Sequence, residues 1–84
     1  MLNQVILVGK IHEVDKHQDG SASVKLIVDN EETMIAVYLS KDMSTHVDHV
    51  TIGSILGTKA KMKYVDNEIV IYAEKITFIK GDTK

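Results

Sequence analysis

Apolar and polar positions alternate along most of this chain, and the breaks in the alternation divide it into elements. The first run, Val5 to Val14, is nearly continuous in apolar residues and carries Gly9, a residue that inside a strand marks a bulge or a sharp bend. The polar stretch "KHQDGSAS" follows, with Asp19-Gly20 as a strong turn signal. Val24 to Asp29 then reads as a second strand, "NEE" as a turn at 30–32, and Thr33 to Ser40 as a third strand rich in β-formers. In "SKDMSTHVDHV" the period changes: Met43, Val47 and Val50 recur at helical spacing, with Ser40 or Asp42 as a cap. Gly53 ends this helix, and alternation returns from Ile55 to Tyr64, with Leu56, Thr58, Ala60, Met62 and Tyr64 on one face and Gly57, Lys59, Lys61 and Lys63 on the other. A tight "VDNE" turn leads into the last strand, Glu68 to Ile79.

The resulting order, β-β-β-α-β-β, is that of a five-stranded all-β OB-fold, a Greek-key barrel with one short helix between strands 3 and 4. A long first strand must curve to pair at both ends of such a barrel, which gives Gly9 a purpose. Residues 1–80 make one domain, and 81–84 are expected to fray. At 84 residues the stability margin is thin and oligomerisation would widen it. The edge of the first strand, Leu2, Asn3, Gln4, Val5, Ile6, Leu7 and Val8, is the expected oligomer interface, because an open apolar edge invites pairing across a two-fold axis.

Composition narrows the chemistry. There is no cysteine, which excludes disulfides and thiolate sites and makes the cytoplasm the expected location. No segment has the pattern of a signal peptide or a membrane span. The ten basic residues are all lysines and the net charge is -2, so base-specific reading by arginine is excluded, and any contact with phosphates depends on where the lysines lie. Lys59, Lys61 and Lys63 recur at spacing two, placing their ammonium groups about 7 Å apart, close to the step between phosphates of an extended strand. Lys10 and Lys25 extend that surface, while acidic residues gather at 13–19 and 29–32. Such a stripe also serves as a solubilising edge device. "STHVDHV" offers Ser44, His46, Asp48 and His49, but residues two apart on a helix face away from each other, and two histidines at i, i+3 fall short of a metal site. No catalytic residue, metal or cofactor is expected, and the chain reads as a non-enzyme.

Three stretches, "MLNQVILVGKI", "IAVYLSK" and "IGSILG", resemble the bacterial single-stranded DNA-binding proteins. That resemblance implies an OB-fold that assembles through its first strand into dimers or tetramers and binds single-stranded DNA without sequence preference, in DNA replication, recombination or repair. Lys10, His12, Lys25, Lys59, Lys61 and Lys63 would meet phosphates, and Tyr38, Tyr64 and Tyr72 would stack on bases. The chain departs from the family in having no tryptophan. The family's aromatic at the end of strand 3 falls at Leu39, with Tyr38 one position away and turned to the opposite face. After "IKGDTK" there is no counterpart of the family's acidic tip that recruits replication proteins. These departures suit a reduced relative, of mobile-element, phage-accessory or primosomal type. They also open a second reading, an OB-fold interaction module for other proteins with weak or no DNA binding.

Overall fold

The computed structural model describes residues 3–29, 33–48 and 52–80; Leu2, His49, Val50 and the end at 81–84 lie outside the described residues. Five strands, β1 (Gln4–Lys16), β2 (Ala22–Ile27), β3 (Met34–Leu39), β4 (Ile55–Val65) and β5 (Glu68–Lys80), close into a barrel in the order β1-β2-β3-β5-β4. The pairing is antiparallel except between β3 and β5, which meet in parallel with Tyr38 opposite Tyr72. This is the OB-fold that the order of elements predicts.

Closure rests on β1 changing partner. Gln4 to Lys10 pair with β4, and Lys10 to Lys16 pair with β2. The irregularity in β1 falls between Ile11 and Glu13, where His12 is the extra residue, and not at Gly9. Gly9 is required for space: a Cβ there would lie 2.8 Å from the Ile27 carbonyl oxygen and 3.0 Å from Leu26 Cβ. The bare backbone lets β2 cross close to β1 where the barrel closes.

Inside the barrel the inward positions of each strand meet. Ile11, Val24, Leu26, Val37, Leu39 and Leu56 are fully buried, and Leu7, Val14, Ile35, Ile71 and Ile76 pack around them. Thr58 is also buried, and its hydroxyl donates to the Lys75 carbonyl at 2.9 Å, so no hydrogen-bonding group is left stranded there.

The segment predicted as one helix is a single α-turn, α1 (Lys41–Ser44), followed by a 3₁₀ turn (Thr45–Val47). Ser40 is the cap, its hydroxyl accepting from the Met43 amide at 3.4 Å. Thr45 and Val47 are β-branched and Ser44 bonds elsewhere, which favours the tighter turn over continued α-helix. Met43 is half-buried and Val47 buried against the core. The Ser44 hydroxyl is held inside the fold: it donates to the Gly20 carbonyl and accepts from Lys16 Nζ at 3.2 Å, while Lys16 also pairs with Asp48 at 2.6 Å. Ser44 and Asp48 thus tie the short helix to the end of β1. The loop between β1 and β2 turns on Gly20 at φ 95, with the Ser21 amide and hydroxyl both donating to the Asp19 carboxylate.

Beyond the barrel β4 and β5 continue as a hairpin, turned by Asp66 (φ 52) and Asn67 (φ 68) in the paired left-handed conformation of a type I′ turn.

Candidate nucleic-acid interface

Registers across the sheet decide which side chains share the outer face. Ser23 lies opposite Tyr38, Tyr38 opposite Tyr72, Tyr72 opposite Lys61, and Lys61 opposite Gln4. These residues form one row across β2, β3, β5, β4 and β1. Pairing partners point to the same side of a sheet, so the row projects outward as a unit while Val37, Leu39 and Ala60 point into the core.

Within this row Tyr38 and Tyr72 meet edge to face, with centroids 5.1 Å apart and planes at 72°. The His17 ring lies nearly parallel to Tyr38, 17° off at 6.4 Å, and its Nε2 is 3.0 Å from the Ser23 hydroxyl. On the other flank Lys63 Nζ sits 5.1 Å from the Tyr72 centroid, within range of a cation–π contact. A ring-bearing strip from the loop after β1 to the β4–β5 hairpin is therefore bounded by a cation at one end and an imidazole at the other.

The lysine stripe is exposed, but its members have different neighbours. Lys61 pairs with Glu74 at 3.3 Å, and the other oxygen of Glu74 accepts from Gln4 Nε2 at 3.3 Å. Lys59 lies directly opposite Lys75, because a bulge between Lys59 and Ala60 brings two residues of β5, Glu74 and Lys75, to the outer side in succession. Lys59 and Lys75 border a shallow apolar groove floored by Ile6, Val8, Gly57 and Ile79. Ile6 is 77% exposed there.

The other predicted residues are scattered. Lys25 is on the outer face of β2 and faces Glu13 at 3.8 Å. Lys10 is exposed opposite Ile27, further along β2 from the tyrosine row, and His12 is exposed at its bulge. Tyr64, 72% exposed, lies opposite Ile69 and shares with Met62 the face of the hairpin opposite to Lys61 and Lys63. The structure thus gathers Tyr38, Tyr72, Lys61 and Lys63, and leaves Lys10, His12, Lys25 and Tyr64 outside that cluster. Of the proposed seam, Ile6 and Val8 face outward, Leu7 and Val5 are half-buried, Gln4 contacts Glu74, and the Asn3 carbonyl accepts from the Met62 amide at 2.8 Å.

Sequence reasoning did not place Ser23, Glu74 or Lys75 in the site. The "YAEK" stretch at 72–75 carried a usable signal for Glu74, which shares the parity of Tyr72. Lys75 joins the outer face only through the bulge, which alternation does not reveal. Among titrating groups, Asp19 has its carboxyl held below the usual range by the Ser21 hydroxyl, with the Ser21 amide and the His17 charge acting in the same direction.

The class that fold and site define is a small OB-fold protein with an open face of aromatic rings and lysines. No protein-family model and no curated protein sequence matches the chain. Among solved structures it is similar to the mitochondrial single-stranded DNA-binding protein Rim1 of S. cerevisiae, with a TM-score of 0.80 and 13% identity over 96% of this chain and 99% of Rim1. A chain of the S. pombe Stn1–Ten1 complex matches at TM-score 0.75 and 16% identity, over 90% of this chain and 57% of that one. An OBody bound to hen egg-white lysozyme matches at TM-score 0.78 and 11% identity, over 94% of this chain and 80% of the OBody. At these identities the likeness establishes the fold. No helix among the described residues is long and apolar enough to cross a membrane.

Proposed function

We propose that this chain binds single-stranded DNA without sequence preference, as a non-enzymatic component of DNA replication, recombination or repair. The observation that carries the reading is the contact of Tyr38 with Tyr72 beside Lys61 and Lys63 on an open sheet face. Aromatic faces stack on any base, and lysines meet phosphates as point charges, so the combination is tolerant of sequence. A base arriving at Tyr72 displaces the Lys63 ammonium, which is then free for the adjoining phosphate. Lys59 and Lys75 continue the cationic path around the barrel. The similarity to Rim1, named as a single-stranded DNA-binding protein and matched over nearly its whole length, supports this reading.

Assembly through β1 belongs to the same proposal. Ile6 and Val8 are exposed, and residues 4–8 of β1 use one edge for β4, leaving the other edge to accept the same strand of a second copy.

One observation favours a second reading, an OB-fold module for protein partners: the aliphatic groove of Ile6, Val8 and Ile79 is exposed, and the similar OBody is one bound to a protein. Fluorescence anisotropy of a labelled oligo-dT of roughly 35 nucleotides, at low and at high salt, separates the two. Backbone-driven binding weakens steeply with salt because counterions are released. No binding at low salt would remove the DNA reading and leave the interaction module.

A further inference from the structure

We infer that Glu74 is a built-in competitor of phosphate at Lys61, so that a nucleic-acid strand must displace a carboxylate of the protein itself to complete its contact with the tyrosine strip. The inference rests on the DNA-binding reading above and specifies how that site is set.

The geometry is local and specific. Glu74 is the extra residue of the β5 bulge, and its carboxylate lies over the outer face of the sheet beside the row containing Tyr72 and Lys61. One oxygen is 3.3 Å from Lys61 Nζ and the other is 3.3 Å from the Gln4 amide nitrogen. Of Lys59, Lys61 and Lys63, Lys61 is the one with a carboxylate partner among the described residues. The planar, two-oxygen anion thus occupies the place at Lys61 that a phosphate oxygen would take, next to the ring on which the attached base would stack.

The pair is weak enough to be displaced. Its side chains are 51% and 34% exposed, and solvated pairs of this kind add little to stability. Gln4 keeps the carboxylate in position from the β1 side, so Glu74 does not simply swing away into water. When a phosphate takes Lys61, the released carboxylate must gather a cation from solution, which cancels part of the gain from counterion release. Glu74 therefore lowers both the affinity at low salt and the steepness of the salt dependence.

The test is anisotropy of the same oligo-dT with the wild type, Glu74→Gln, Lys61→Ala and the double variant, each at several salt concentrations. Glutamine keeps the shape and the hydrogen bond to Gln4 while removing the charge. Glu74→Gln is expected to bind about 3- to 10-fold more tightly at low salt and to steepen the log–log salt slope by about 0.7, the contribution of one further phosphate contact on a single strand. The gain should vanish in the Lys61→Ala background, where there is no ammonium left to free. A wild type that binds together with an unchanged Glu74→Gln overturns the inference alone. A gain that persists without Lys61 also overturns it, since the effect would then be one of overall charge. If neither the wild type nor Glu74→Gln binds at low salt, the DNA reading fails and the inference fails with it.

Discussion

Gly9→Ala tests the closure of the barrel. The added Cβ would stand 2.8 Å from the Ile27 carbonyl oxygen, 3.0 Å from Leu26 Cβ and 3.2 Å from Val28 Cγ1. Two of these atoms belong to the backbone and first side-chain carbon of β2, and Leu26 is fully buried, so neither can move aside without displacing the strand. Overpacking of a closed site costs about 1–3 kcal/mol. Restricting the unfolded chain by replacing glycine offsets about 0.4–1 kcal/mol of that. A net loss of about 1–2 kcal/mol lowers the melting temperature by roughly 5–15 °C for a domain of this size. The comparison is Gly57→Ala, whose Cβ would meet Ile79 Cδ1 at 2.9 Å, the free end of a side chain that is 54% exposed and can rotate away. That variant should melt close to the wild type. Circular dichroism melts of all three proteins, at one protein concentration so that any assembly is held constant, decide the matter. Equal melting temperatures for Gly9→Ala and Gly57→Ala would refute the close-approach argument.

The site makes further predictions. Tyr72→Ala removes a stacking platform worth about 1–3 kcal/mol, so oligo-dT affinity should fall about 5- to 150-fold while Tyr72→Phe keeps most of it; equal affinity for the alanine variant would dismiss Tyr72 as a platform. Because Tyr38 and Tyr72 touch, their double alanine variant should lose less than the sum of the single losses, and full additivity would show that the rings act independently. Replacing Lys59, Lys61 and Lys63 together by alanine should flatten the salt slope by about 1.4, the share of Lys59 and Lys63, since Glu74 already cancels that of Lys61, and leave the melting temperature nearly unchanged; an unaltered slope would make the stripe a solubility device. The carboxyl of Asp19 is depressed, so its contribution to stability is fully present above its unfolded value near 3.8 and is lost as pH falls through the lower folded value. Asp19→Asn should therefore soften the acid limb of the stability profile below about pH 4, and an unchanged acid limb would contradict this assignment. Ile6→Asp should reduce the mass seen by light scattering if β1 is the seam, and retention of the parental mass would rule that seam out.

How much of this was legible in the sequence follows from the range of the interactions involved. Strand and turn positions were readable because they depend on neighbours: alternation placed β4 at its observed start, Ile55, and Asp66-Asn67 supplied the left-handed turn at the hairpin tip. The short helix after β3 was legible in the spacing of Met43 and Val47 and in the Ser40 cap, whereas its tightening into a 3₁₀ turn at Thr45–Val47 was not, because the two residues keep a helical period in either form. Gly9 was legible as a constraint but not as the right one, since the atoms that forbid a side chain there belong to β2, some eighteen residues away.

The interface shows the same division more sharply. Lys59, Lys61 and Lys63 could be assigned to one face from spacing alone, yet what distinguishes them comes from other strands: Lys75, Glu74 and Tyr72, all of β5. The meeting of Tyr38 with Tyr72 depends on the parallel contact between β3 and β5 that closes the barrel, and no local pattern encodes it. Alternation correctly put Leu39 and Tyr38 on opposite faces, but only closure shows that the outward member is the one with an aromatic partner. Tyr64 is the converse case. It belongs to the same strand as the lysines and is well exposed, yet its parity sends it to the other side of the hairpin with Met62 and Ile69. A single strand passing over Tyr38 and Tyr72 would therefore have to cross the hairpin to reach Tyr64. Its removal should cost less affinity for a short oligonucleotide than removal of Tyr72, and the difference should narrow as the oligonucleotide is lengthened enough to wrap both faces.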